Sequence, residues 1–152
     1  MLRGTNPHGN QEERTVDSSR LETVWAPRAL ALLRIVAALL FLEHGTQKLL
    51  GFPPLPDGRS MPELFTLFWF AGFLELVGGF LLLVGFLTRP VAFILSGEMA
   101  FAYWMGHAPG NIFPALNGGD AAILFCFIFL YLVVAGPGAF SLDGARSASR
   151  AS

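Results

Sequence analysis

A chain of 152 residues is long enough for one domain, and 53% apolar residues with a mean hydropathy of +0.55 exceed what a water-soluble domain carries, so its solvent is lipid. The charges nearly cancel, 10 Lys and Arg against 11 Asp and Glu, which gives no support for a nucleic-acid partner. The single cysteine, Cys126, excludes an internal disulfide and a CxxC redox pair, so thiol exchange requires a second protein.

Residues 1–27 come first and mix Glu12, Glu13, Arg14, Asp17 and Arg20 with serines and threonines, without the apolar run of a signal peptide. So few apolar side chains cannot offset the entropy of ordering, and the stretch reads as a disordered cytoplasmic tail. Residues 28–138 read as an all-α integral membrane bundle of four transmembrane helices, over about 29–50, 64–87, 90–106 and 121–136. Each is close to the roughly 17 to 25 residues that span hydrocarbon. The prolines and the DG step of GFPPLPDGRSMPE forbid a continuous helix between the first two segments. Thr88, Arg89 and Pro90 make a short turn between the second and third. The loop HAPGNIFPALNGG precedes the fourth, and Asp120 falls where an N-cap or a first-turn acid is expected. Residues 139–152 read as a second cytoplasmic tail, rich in Ala, Ser and Arg.

Positive charge sets the topology. Arg3, Arg14, Arg20, Arg28, Arg89, Arg146 and Arg150 fall on one side, against Arg59 and Lys48 on the other, so both termini are expected in the cytoplasm. Inside lipid, helices approach closely through small residues. Ala92, Ser96 and Ala100 repeat every four residues on the third segment. On the second, Gly72 with Gly79 and Gly78 with Gly85 repeat every seven.

The informative feature is charge at membrane depth: Arg34, Glu43, His44 and Lys48 on the first segment, Glu75 on the second and Glu98 on the third. A lone ionised side chain there costs about 2.5 kcal/mol or more, so six together predict an internal polar site. At 1.5 Å per residue Arg34 lies about 9 Å and Glu98 about 12 Å from the inner face, which predicts an Arg34–Glu98 pair. Glu75, at about 18 Å, lies between Glu98 and the outer group. Arg34, Gly45 and Lys48 share a helical stripe with His44 at its edge, whereas Glu43 points nearly opposite to Arg34, toward the outer headgroups. His44 and His107 lack ligand spacing on one helix, so no metal is expected. No Walker loop, GxSxG elbow, HExxH motif or dinucleotide fingerprint occurs.

Three blocks carry a family resemblance. Arg34 with the HGTQKLLGF run from His44, Glu75 with GGFLLLVGFLTRP, and GPGAFSLD from Gly136 to Asp143 resemble the signatures of the DoxX family of small four-helix membrane proteins. That family includes members similar to the small subunit of thiosulfate:quinone oxidoreductase. The resemblance implies a multi-pass protein of a bacterial or archaeal plasma membrane, in contact with quinone and tying a soluble or membrane oxidoreductase subunit to the bilayer. It leads to a redox-subunit expectation in which Glu75 handles protons and Arg34, His44, Lys48 and Glu98 surround the quinone headgroup. The rival expectations are a non-enzymatic scaffold that recruits partner proteins and a small transporter, the latter disfavoured by the lack of repeated halves.

Overall fold

The computed structural model describes residues 19–55 and 60–151. The described residues are helical, with no strand among them. Five helices carry the fold: α1 (Ala26–Leu50), α2 (Leu67–Val84), α3 (Thr88–Ala102), α4 (Asp120–Ala135) and α5 (Leu142–Ala151). A π-helical turn, Leu21–Trp25, leads into α1, another, Tyr103–His107, prolongs α3, and a single turn, Pro114–Asn117, interrupts the loop before α4. Asp120 occupies the first turn of α4, where its charge complements the helix dipole.

The chain packs α1 on α2 and α3 on α4, with α2 against α3 joining the two pairs. At the centre Phe41, Phe125 and Phe129 pack with ring centroids 4.9 to 5.7 Å apart, surrounded by Leu82, Leu95 and Leu132. The outer faces are also apolar: Leu32, Leu40, Phe80, Phe93 and Phe127 all point outward. Two helical runs, Leu21–Leu50 and Leu67–Val84, are long and apolar enough to cross a membrane, whereas α4 is shorter.

Glycine sets the approach of α1 to α2. A Cβ on Gly45 would lie 2.6 Å from the Leu76 nitrogen, and one on Gly72 would lie 2.8 Å from the Lys48 Cβ, so the two helices meet almost backbone to backbone. Gly78 instead faces Leu95 of α3. Ala92 and Ser96 are buried, and the Ser96 hydroxyl donates to the Cys126 carbonyl of α4 at 2.9 Å, while Ala100 is only half-buried.

At one end of the bundle, side chains satisfy the helix-terminal groups of neighbouring helices. Arg34, fully buried, donates to the carbonyls of Leu82 (2.5 Å) and Leu83 (2.7 Å) at the C-terminus of α2. It also donates to those of Pro137 (2.8 Å), Ala139 (3.3 Å) and Phe140 (2.9 Å) in the segment after α4. This corrects the expected pairing with Glu98. Counting residues places the two at similar depth, but the carbonyls that α2 cannot satisfy internally lie within the reach of the guanidinium and attract its charge. Arg89 does the same for α4 through the carbonyls of Val133 (2.5 Å) and Val134 (2.6 Å). Asp143 closes the N-terminus of α3, its two oxygens accepting from the Leu87 (3.0 Å) and Thr88 (2.8 Å) amides. Gly138, at φ +70°, permits this arrangement because a Cβ there would lie 2.7 Å from the Pro27 carbonyl oxygen.

The disorder expected of residues 1–27 is corrected where they are described. From Ser19 the chain is helical: the π turn, in which the Ala26 amide bonds to the Leu21 carbonyl, carries it up to Pro27, which has no amide hydrogen to donate. Residues 1–18 and Arg59 lie outside the described residues. From Leu142 the chain is again helical, because the Asp143 amide docks on the Gly85 carbonyl at 2.9 Å and the Ser141 hydroxyl accepts from Gly144 at 3.1 Å, starting α5.

Two outcomes follow from this packing. Gly45→Ala should lower the stability of the detergent-solubilised bundle by about 1 to 3 kcal/mol through overpacking, measured by SDS or thermal unfolding. Gly97→Ala, where nothing lies within 4 Å of the added methyl, should be neutral or slightly stabilising in the same assay. The second outcome concerns acid. Burial works to raise the Asp143 carboxyl, but the Thr88 and Leu87 amides, together with the Thr88 side chain and the charge of Arg146, outweigh it and hold the group below its ordinary value of 3.8. A depressed carboxylate contributes stability that is complete above its unfolded pKa and is lost as pH falls through its folded one. The unfolding midpoint should therefore drop below about pH 4, and Asp143→Asn should be less stable at neutral pH and lose that part of the acid sensitivity.

Candidate functional site

The close crossing at Gly45 determines what happens three residues later. Lys48 turns toward α2 and its Nζ lies 2.5 Å from Glu75 Oε1. The Glu75 side chain is 3% exposed and that of Lys48 is 25% exposed, so the ion pair has its acid inside the bundle and its base toward the rim. Glu98, on α3, completes the cluster, lining the same groove as Glu75 and Lys48. Three carboxyl oxygens here are buried without a hydrogen-bond partner: Glu75 Oε2 and both oxygens of Glu98.

These groups border a groove of about 680 Å³ between α2 and α3. Phe68, Leu74, Ile94, Phe101 and Met105 form its apolar walls, and His107 stands beside them with Nδ1 3.0 Å from the Asn117 carbonyl. Most of those apolar side chains are also exposed on the outer surface of the bundle, so the groove opens sideways, toward lipid. Gly97 and Gly106 help to keep it open, because a methyl group at either would meet nothing within 4 Å.

The predicted site residues therefore divide. Lys48, Glu75 and Glu98 are brought together. His44 is exposed on α1, edge-on to Phe125 at 6.3 Å, yet within electrostatic range of Glu75. Arg34 belongs to the far clamp, and Glu43 is exposed. The apolar walls and His107 were not among the residues singled out from sequence as parts of a site. A groove between two helices depends on which faces meet, and the available signal was only the pair of glycines, Gly97 and Gly106, on the helix that carries Glu98. Among the described residues no group of three or more His, Cys, Asp or Glu is placed to hold a metal.

Two carboxyls facing one ammonium leave one carboxyl without a counter-charge. In a low-dielectric setting like charges disfavour each other's ionisation, so the cluster is balanced by one additional proton or by a ligand that supplies hydrogen-bond donors. Carboxylate oxygens only accept, and the orphan atoms of this cluster are carboxyl oxygens. The arrangement can thus hold one additional proton, or grip a donor group at the end of an otherwise apolar molecule.

The comparisons with known proteins agree with the first two of the blocks that carry the resemblance. The DoxX family profile matches residues 29–108. An uncharacterized protein of Haemophilus influenzae is 45% identical over 122 residues, covering 78% of this chain and 91% of its own length. The inner membrane protein YphA of Escherichia coli is 30% identical over 130 residues, covering 77% of this chain and 89% of its own. No solved structure matches at a significant level. The extent of the profile match and of both relatives leads to one assignment: the chain is a membrane protein that belongs to the DoxX family.

Proposed function

We propose that this protein is the membrane subunit of a quinone-linked redox system, and that the groove between α2 and α3 receives the quinone ring from the lipid phase. One observation carries the reading: three buried carboxyl oxygens without partners border a lipid-open groove whose walls are apolar and aromatic. The ring and prenyl chain fit the walls. The hydroxyls of the reduced form supply the donors that the carboxyl oxygens lack. Glu75 is the proton-handling acid, held in place by Lys48. Glu98 accepts from the ligand and exchanges the proton with Glu75, and His44 tunes the cluster from the rim.

The chain supplies no redox group of its own. Conversion of quinone to quinol takes two electrons and two protons, and the electrons come from an oxidoreductase partner. In this reading α1 to α4 each cross the plasma membrane of a prokaryote, with both termini in the cytoplasm. The name of the Escherichia coli relative supports the membrane, and the gathering of Arg28, Arg89, Arg146 and Arg150 at one end supports the orientation. Thr88–His107 forms a helical run of 20 residues, about 30 Å long, which matches the hydrocarbon thickness.

The test is a titration of the purified protein in nanodiscs with a short-chain ubiquinol, read by tryptophan fluorescence from Trp69 and Trp104. Saturable binding is expected. Glu98→Gln should weaken it by about tenfold or more, the scale of one charge-assisted hydrogen bond. Gly97→Leu, which fills the groove and leaves both carboxyls in place, should abolish it. Absence of saturation in the wild type, together with no quinone in protein extracted from native membranes, sinks the reading.

A further inference from the structure

A second cavity, of about 490 Å³, lies at the end of the bundle where Arg34 and Arg89 satisfy the helix termini, remote in the fold from Lys48. It is an open cleft bordered by the α2–α3 turn, the segment after α4 and the helix α5. Three arginines line it: Arg89 from the start of α3 and Arg146 and Arg150 from α5. Asp143, Arg146 and Arg150 recur at spacings of three and four residues, so α5 presents one charged face to the cavity.

The charge balance of this cavity favours an anion. Three guanidinium groups face one carboxylate, and both oxygens of that carboxylate already accept from the Leu87 and Thr88 amides. Arg89 commits one amino group to the carbonyls at the end of α4, which fixes its plane. Arg146 lies over the Phe86 ring at 5.4 Å, which holds its position. Two positioned guanidinium planes and a third at the rim match the oxygens of a phosphate, which arginine binds in bidentate fashion. The surroundings indicate where that phosphate comes from. Exposed Leu87, Phe140 and Leu142 flank this end of the bundle, so apolar side chains and arginines stand side by side, as they do at the boundary between hydrocarbon and headgroups.

We propose that this arginine cavity is a phosphate-binding site that takes the headgroup phosphate of an anionic phospholipid, and that the bound lipid ties α5 to the start of α3. The site is separate from the groove and does not depend on what the groove binds.

Native mass spectrometry of the full chain in detergent, with phosphatidylglycerol, phosphatidylcholine or inorganic phosphate added, tests this. Phosphatidylglycerol should be retained at least about tenfold more than phosphatidylcholine. Arg146→Lys combined with Arg150→Lys keeps the charge and removes the bidentate fork, and should lose most of that preference. Both positions are exposed, so the double variant should keep the wild-type unfolding midpoint in phosphatidylcholine, which verifies its fold. Arg28→Gln, outside the cavity, should leave the preference unchanged. Equal retention of the two lipids by the wild type overturns the proposal. Full preference in the double lysine variant also overturns it, because bulk charge then suffices. Binding of inorganic phosphate without any preference for phosphatidylglycerol overturns the lipid headgroup as the source.

Discussion

The structure depends on a single buried cation. Arg34 sits with no exposed surface among apolar side chains, and backbone carbonyls take up its guanidinium hydrogens. A helix that ends inside an apolar medium leaves carbonyls that water cannot reach, and each must find a donor within the protein. Arg34 supplies donors to the end of α2 and to the strand of chain after α4 at once, so two parts of the molecule that are distant in sequence are held by one side chain. The left-handed glycines Gly136 and Gly138, the turn at Gly85 and the docking of α5 all follow from bringing carbonyls to that guanidinium.

Clamping one end leaves the other free to specialise. At the far end α1 and α2 approach at Gly45, but α3 diverges from α2, and the groove occupies the space between them. The Glu75 carboxyl reaches that space because glycines on both helices allow the backbones to close; a wider crossing would hold Lys48 away from it. At that open end the unpartnered carboxyl oxygens offer acceptors to a group arriving from the lipid phase, whereas the donors of Arg34 at the other end are already taken up by carbonyls.

Much of this architecture was legible in the residues. The apolar segments, the Pro and Gly loops and the first-turn position of Asp120 follow from local chemistry, and local chemistry survives folding. The role of Arg34 was not legible, because depth along a helix says which residues share a level and not which carbonyls a neighbouring helix leaves open. The helix α5 is not legible for a related reason: it is ordered by contacts with the α2–α3 turn that composition does not contain. Glu75 and Lys48 were recognised as candidates from their cost in lipid, whereas the groove beside them required knowing which faces of α2 and α3 meet.

The correction at Arg34 changes the meaning of the remaining charges. With Arg34 opposite Glu98, the intramembrane site would hold two cations and two acids and would be neutral at rest. With Arg34 engaged by carbonyls, Glu75 and Glu98 have Lys48 as their one ion-pair partner among the described residues, with His44 acting on Glu75 from the exposed rim. An apolar environment does not tolerate that deficit as a bare carboxylate, because the desolvation cost of an unpaired ion amounts to several kcal/mol. The deficit has to be filled by a proton or by a donor-bearing ligand, and the choice between them can change with the ligand's own redox state. A site that alternates between those two fillings would couple proton uptake to ligand binding without any redox group in the protein, which is what the proposed redox reading requires of a chain with a single, remote cysteine.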